Sequence, residues 1–139
     1  IPHDDLRKQV KRQIPDKKIR SLIDLWLVEG PHHKSLFGAR RGLSQGSVIS
    51  PFLTNLYLHQ FDQALQQENI PFVRYADDFV LLTNTKEQAH QAKKFAALKL
   101  KQLGLKLHPT KTKIVQHSNQ GLHFLGKYIK QIKYPQARD

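Results

Sequence analysis

The chain has 139 residues, the size of one domain with a core of its own, and it sets 23 Lys and Arg against 11 Asp and Glu, a formal net charge of +12. The absence of cysteine excludes a disulfide framework and a thiolate metal site, and no apolar run approaches a membrane span or a signal-peptide core. So large a basic excess points to a polyanionic partner. Nucleic acid comes before an anionic membrane, because no segment pairs a basic helical face with a Trp- or Phe-rich one.

His3 or Asp4 is placed to cap a short basic helix that runs to Gln13. Pro15 interrupts it and Asp16 opens a second helix, in which Ile19, Leu22, Ile23, Trp26 and Leu27 fall at helical spacing, with Trp26 expected as a core anchor. Gly30-Pro31 ends that helix. The next segment, 32–50, holds Gly38, Gly42 and Gly46 and reads as a loop or hairpin with little core. Ser50-Pro51 then supplies a capping hydroxyl followed by proline at the first helical position. Phe52, Leu53, Leu56, Tyr57, Phe61 and Leu65 continue a helical stripe that stops near Glu68-Asn69, before Pro71.

A hairpin follows over 72–82, and two adjacent acids, Asp77 and Asp78, lie at its break. Beyond it, Thr85 and Gln88 make a capping box. Ala89, Ala92, Ala96, Leu100 and Leu103 form a narrow apolar helix face, and Gly104 is placed as the residue that ends the helix. Segments 105–107 and 113–115 read as short strands around a His-Pro-Thr turn. Segments 122–125 and 128–132 read as a last hairpin turning at Gly126-Lys127. This order predicts an α+β domain with an antiparallel sheet and helices on one face. From Lys86 to Lys113 there are eight lysines against one acid, Glu87. None of the eight histidines shows a ligand pattern. The chain begins at Ile1 and contains no Met, which fits an excised piece of a larger protein.

Asp77 and Asp78 carry the chemistry. Asp-Asp also occurs in plain turns, where short polar side chains bond the backbone. Beside an apolar hairpin, however, two adjacent carboxylates repel, and burial worsens the repulsion. A hard cation such as Mg²⁺ answers both problems, since it takes carboxylate oxygens together with substrate phosphates. The reaction that suits such a site is two-metal phosphoryl transfer.

Four segments in order resemble bacterial reverse transcriptases. Arg41-Gly42-Leu43-Ser44-Gln45-Gly46-Ser47-Val48-Ile49-Ser50-Pro51, followed by Asn55-Leu56-Tyr57-Leu58, resembles their fourth conserved block. Tyr75-Ala76-Asp77-Asp78 is similar to their metal-binding turn. Gly104-Leu105-Lys106-Leu107-His108-Pro109-Thr110-Lys111-Thr112-Lys113 resembles the next block, and His123-Phe124-Leu125-Gly126 resembles the primer-grip hairpin. The flavour is that of group II intron enzymes and of their CRISPR-associated relatives, and the two branches stay open. The resemblance implies the palm of a right-hand polymerase, with a ferredoxin- or RRM-like antiparallel sheet. The palm would cover 1–121, a primer-grip-like hairpin 122–133, and a disordered tail 134–139.

The resemblance also implies roles. Asp77 and Asp78 would be catalytic metal ligands for Mg²⁺ or Mn²⁺, and Lys111 would act on the pyrophosphate leaving group. Gln45 and Gly46 would line the incoming deoxynucleotide, with Tyr75 and Ala76 beside it at the primer end. Arg40 and Arg41 would hold phosphates, and Phe124, Leu125 and Gly126 the primer backbone. The partners implied are an RNA template, a DNA or RNA primer, deoxynucleotides, the fingers and thumb regions of the same protein, and intron RNA or a CRISPR integrase, in the bacterial cytoplasm and without a membrane. The family's first metal-binding aspartate, on a strand before the segment matching 1–5, is missing from this sequence. Asp4 and Asp5 fall at a helix start, where an acid suits the helix dipole. The expected product is an RNA-directed DNA polymerase palm that is inactive as an isolated chain. The rival is a non-catalytic RNA-binding module with an RRM-like sheet.

Overall fold

The computed structural model describes residues 1–29, 33–34, 40–43, 47–116 and 121–129, and its elements follow the periodicity of the sequence. Helices α1 (His3–Gln13) and α2 (Lys17–Glu29) come first, followed by the two-residue strands β1 (His33–Lys34) and β2 (Arg40–Arg41). The long helix α3 (Ser50–Gln67) leads into the hairpin β3 (Phe72–Tyr75) and β4 (Asp78–Leu81). Helix α4 (Lys86–Gln102) and the hairpin β5 (Leu122–Phe124) and β6 (Lys127–Ile129) complete the described chain. The described strands pair only within their own antiparallel hairpins, so the fold is α+β with three small ladders. No described helix is long and apolar enough to cross a membrane.

Helix α3 is the spine. Its Leu53, Leu56 and Tyr57 meet Leu6 and Val10 of α1 and Ile23 and Leu27 of α2 in one cluster. Further along, Leu58, Phe61 and Leu65 meet Ala96 and Leu100 of α4 in a second cluster, which Phe72, Phe79 and Leu81 of the β3–β4 hairpin cover. Phe61 and Phe79 pack edge to face with ring centroids 5.1 Å apart. Tyr57 Oη donates to the Leu103 carbonyl at 2.7 Å, which ties the end of α4 to α3. The hairpin is thus apolar and supported on one face, with Val73 and Tyr75 exposed on the other.

Both ends of the hairpin connections are closed by local chemistry. Asn69, at φ 53°, ends α3 with bonds from its own N–H to Gln66 and from the Ile70 N–H to Leu65, each 3.0 Å. Gly104, at φ 66°, ends α4 the same way through Lys101 and Leu100. At the start of α4 the Gln88 N–H bonds the Thr85 hydroxyl at 3.1 Å, as expected, but the Gln88 side chain accepts from the Asn84 N–H, one residue before the cap. Asp16 caps α2 through the Lys18 and Ile19 N–H groups at 2.7 and 3.1 Å.

Several expectations are corrected. Pro2 rather than His3 or Asp4 occupies the cap position of α1. His3 is buried, and its Nε2 donates to the Gly42 carbonyl at 2.7 Å. Trp26 is 48% exposed, because α2 turns its Ile23–Leu27 edge inward and Trp26 lies about a quarter-turn away. Ser50 is already helical, with Ile49 at the cap. Segments 105–107 and 113–115 are not strands: Leu105 and Leu107 still turn inward at period two, but no neighbouring ladder pairs with them among the described residues. The last hairpin turns at Leu125-Gly126, one residue early, because φ of 51° and 74° there makes the tight turn that matches strand twist. The expected tail, 134–139, lies outside the described residues.

Candidate active site

Tyr75 pairs with Asp78 across the hairpin, so Ala76 and Asp77 alone form its loop. Of the two, only Ala76 has a positive φ, 52°, the pattern of a type II′ turn. Register then sets the faces. Phe72, Arg74, Phe79 and Leu81 lean toward α3 and α4, while Val73 and Tyr75 stand on the open face. Asp77 and Asp78 are both exposed at the tip. The four residues Tyr75, Ala76, Asp77 and Asp78, read from the sequence as one site, are therefore brought together by one turn.

The two acids differ from the rest. Asp4 and Asp24 bind Arg7, Asp5 binds Lys8, Asp16 caps α2, and Asp62 binds Arg74. Among the described residues Asp77 and Asp78 alone of the aspartates have no side-chain hydrogen bond or ion pair within the chain. In a protein with 23 basic residues, two adjacent carboxylates that form an ion pair with none of the described cations are available to something else. Their donor set, hard oxygens at a solvent-facing turn, fits Mg²⁺ or Mn²⁺ with water and phosphate as the remaining ligands. No group of three or more metal-ligating side chains occurs among the described residues, so the turn offers two carboxylates and no third.

Sequence reading missed the residue that holds this turn. Arg74 projects from β3 toward α3 and forms a bidentate pair with Asp62, Nε to Oδ1 at 2.7 Å and Nη2 to Oδ2 at 2.5 Å. Its Nη1 donates to Asn55 Oδ1 and to the Ala76 carbonyl, each at 2.8 Å. The available signal was a lone arginine at an inward position of an otherwise apolar strand, which requires a buried partner.

Other expected residues lie elsewhere. Lys111 is exposed in the turn that follows Leu107, and its N–H reaches His108 Nδ1 at 3.4 Å. Phe124, Leu125 and Gly126 sit at the tip of the β5–β6 hairpin, which shares no ladder with β3–β4. Arg40 and Arg41 form β2 opposite Lys34 and His33. The adjoining Gly42 is fixed to the segment before α1 by its N–H to the Ile1 carbonyl at 2.9 Å. Gln45 and Gly46 lie outside the described residues.

Comparison with known proteins identifies the family. The family model for reverse transcriptase (RNA-dependent DNA polymerase) matches residues 1–129. Protein YkfC of Escherichia coli strain K12 is 32% identical over 176 aligned positions, which cover 99% of this chain and 46% of that protein. An uncharacterized 91 kDa protein in a cob intron of Schizosaccharomyces pombe is 25% identical over 201 positions, covering 96% of this chain and 24% of that protein. The chain thus spans less than half the length of these relatives. With residues 1–129 inside the family match, the chain belongs to the reverse transcriptase (RNA-dependent DNA polymerase) family.

Proposed function

We propose that these residues form the palm of an RNA-directed DNA polymerase, in which a primer 3′-hydroxyl attacks the α-phosphate of a deoxynucleotide and pyrophosphate leaves. The observation that carries this reading is the pair of carboxylates, with no side-chain partner among the described residues, at the tip of a hairpin whose inner face is packed on α3 and α4. Asp77 is the principal metal ligand and Asp78 assists or orients it. Divalent cations held there supply the positive charge that the transferring phosphoryl group requires. The Lys111 ammonium neutralises or protonates the departing pyrophosphate. Tyr75 and Ala76 pack beside the primer end. Gln45 and Gly46 approach the nucleotide, Gly46 because a residue without Cβ lets backbone come close. Arg40 and Arg41 hold phosphates, and Phe124, Leu125 and Gly126 the primer backbone. The template is RNA, and the wider sheet is of the RRM-like kind.

The test is Asp77→Asn in the full-length protein. The substitution keeps the shape of the side chain and removes a charge that repels Asp78, so the fold is retained and nucleotide incorporation is lost. Near-normal primer extension by a folded Asp77→Asn protein would overturn the reading. With only two carboxylates at the turn, Mg²⁺ is held loosely, since it sheds water reluctantly. These 139 residues in isolation are therefore expected to extend no primer in the same assay.

A further inference from the structure

We infer that Arg74 is the positioning residue of the carboxylate turn, an inference that rests on the proposed role of Asp77. The loop between β3 and β4 is two residues long, and its central peptide joins Ala76 to Asp77. Type I′ and type II′ turns differ mainly by rotation of that peptide. Ala76 is already left-handed at φ 52°, as both types require. Asp77 is among the residue types that tolerate a positive φ, so type I′ is a real alternative for this loop. Rotation would swing the Ala76 carbonyl to the other side and re-aim the Asp77 side chain. A side-chain bond opposes it: Arg74 Nη1 to the Ala76 carbonyl at 2.8 Å.

That donor is itself immobilised. The guanidinium is clamped to Asp62 by two parallel bonds and to Asn55 by a third. Asn55 and Asp62 stand seven residues apart, two turns along one face of α3, an 18-residue helix. The Arg74 side chain is 9% exposed and that of Asp62 17%, so the clamp is shielded from water. The connection therefore runs from a rigid helix, through one planar cation, to the peptide that aims Asp77. A lysine cannot replace it, because a single ammonium cannot fork to Asp62 and reach the Ala76 carbonyl in one plane.

The full-length protein is tested as Arg74→Lys and as the double variant Asp62→Leu/Arg74→Met, with Asp77→Asn alongside. The double variant removes both charges together, so neither is left buried and unpaired, and it keeps the test open should Arg74→Lys fail to fold. Folding is followed by thermal unfolding, Mn²⁺ binding by electron paramagnetic resonance, and primer extension as a function of Mg²⁺ and deoxynucleotide concentration. Loss of a group that orients a metal ligand weakens affinity or activity by about 10–100-fold in general. The folded variants are accordingly expected to bind Mn²⁺ about 10–100-fold more weakly and to need correspondingly more Mg²⁺. The deoxynucleotide KM at saturating Mg²⁺ should stay within about twofold, since Arg74 faces α3 and not the open face. A purely structural role would lower the unfolding temperature and leave the Mn²⁺ affinity and Mg²⁺ midpoint of the folded fraction unchanged. That result, together with an inactive Asp77→Asn protein, would overturn the inference alone. An active Asp77→Asn protein would overturn the proposed function beneath it.

Discussion

Lys111 stands on a turn that its neighbours build. His108 Nδ1 takes the Lys111 N–H at 3.4 Å and lies 3.2 Å from the Thr110 hydroxyl, while the His108 carbonyl takes the Thr112 N–H at 3.0 Å. The backbone is fixed and the ammonium is left to solvent, an arrangement suited to meeting a substrate anion. Lys111→Ala is expected to slow the chemical step by about 10²–10⁴-fold if the ammonium gives up a proton in the transition state. Single-turnover extension at saturating primer and nucleotide measures this. A variant that loses only affinity, and recovers it at low salt, would make Lys111 a phosphate clamp instead. The candidate carboxylates were legible in the sequence because Asp-Asp between apolar runs is a local signal. Arg74 was not, because its meaning lies in Asp62 and Asn55, twelve and nineteen residues away and on another element.

At the scale of elements, the capping chemistry was legible where it is local. Gly104 is the clearest case. It ends α4 at φ 66°, and a Cβ built on it would meet Pro2 Cγ at 2.9 Å. Gly104→Ala is expected to cost about 1–2 kcal/mol from the left-handed backbone alone, and more if the Pro2 ring cannot shift. Urea unfolding reads the loss as a lower midpoint at unchanged slope. A midpoint equal to that of the wild-type chain would show that the helix end relaxes freely. Thr85, Asp16 and the β3–β4 break were equally readable, since each acts within four residues. The misreadings share a different cause. Trp26 lies on an apolar stripe wider than the surface α2 buries, and only packing against α1 and α3 decides which edge goes inward. Segments 105–107 and 113–115 have strand composition, but a strand exists only when a second one pairs with it.

For the whole molecule, net charge matters less than where charge is already neutralised. The acids near the N-terminus are spent locally: Arg7 binds Asp4 and Asp24, and Lys8 binds Asp5 at 2.9 Å. That neighbour raises the Lys8 pKa above its usual value. The eight lysines from Lys86 to Lys113 are different. Among the described residues none of them is in an ion pair, and Lys99 lies 5.3 Å from the Phe95 ring centroid. A phosphate that meets such a lysine releases its counterion without first breaking a protein salt bridge, so the whole effect appears in the salt dependence of binding. Lys93, Lys94 and Lys101 are exposed on α4, away from the face that meets α3. Replacing these three by Gln is expected to reduce the slope of log Kd against log salt by about one for each phosphate that is no longer neutralised. The weakening should be uniform across nucleic-acid sequences, because groups that bind phosphate position the duplex without reading bases. Replacing Lys8 and Lys11 by Gln should change the slope less, since Lys8 already shares its charge with Asp5. Fluorescence anisotropy with a template–primer duplex at several salt concentrations separates the two. An unchanged slope in the α4 triple variant would show that this helix faces solvent in the complex and that the polyanion is held elsewhere.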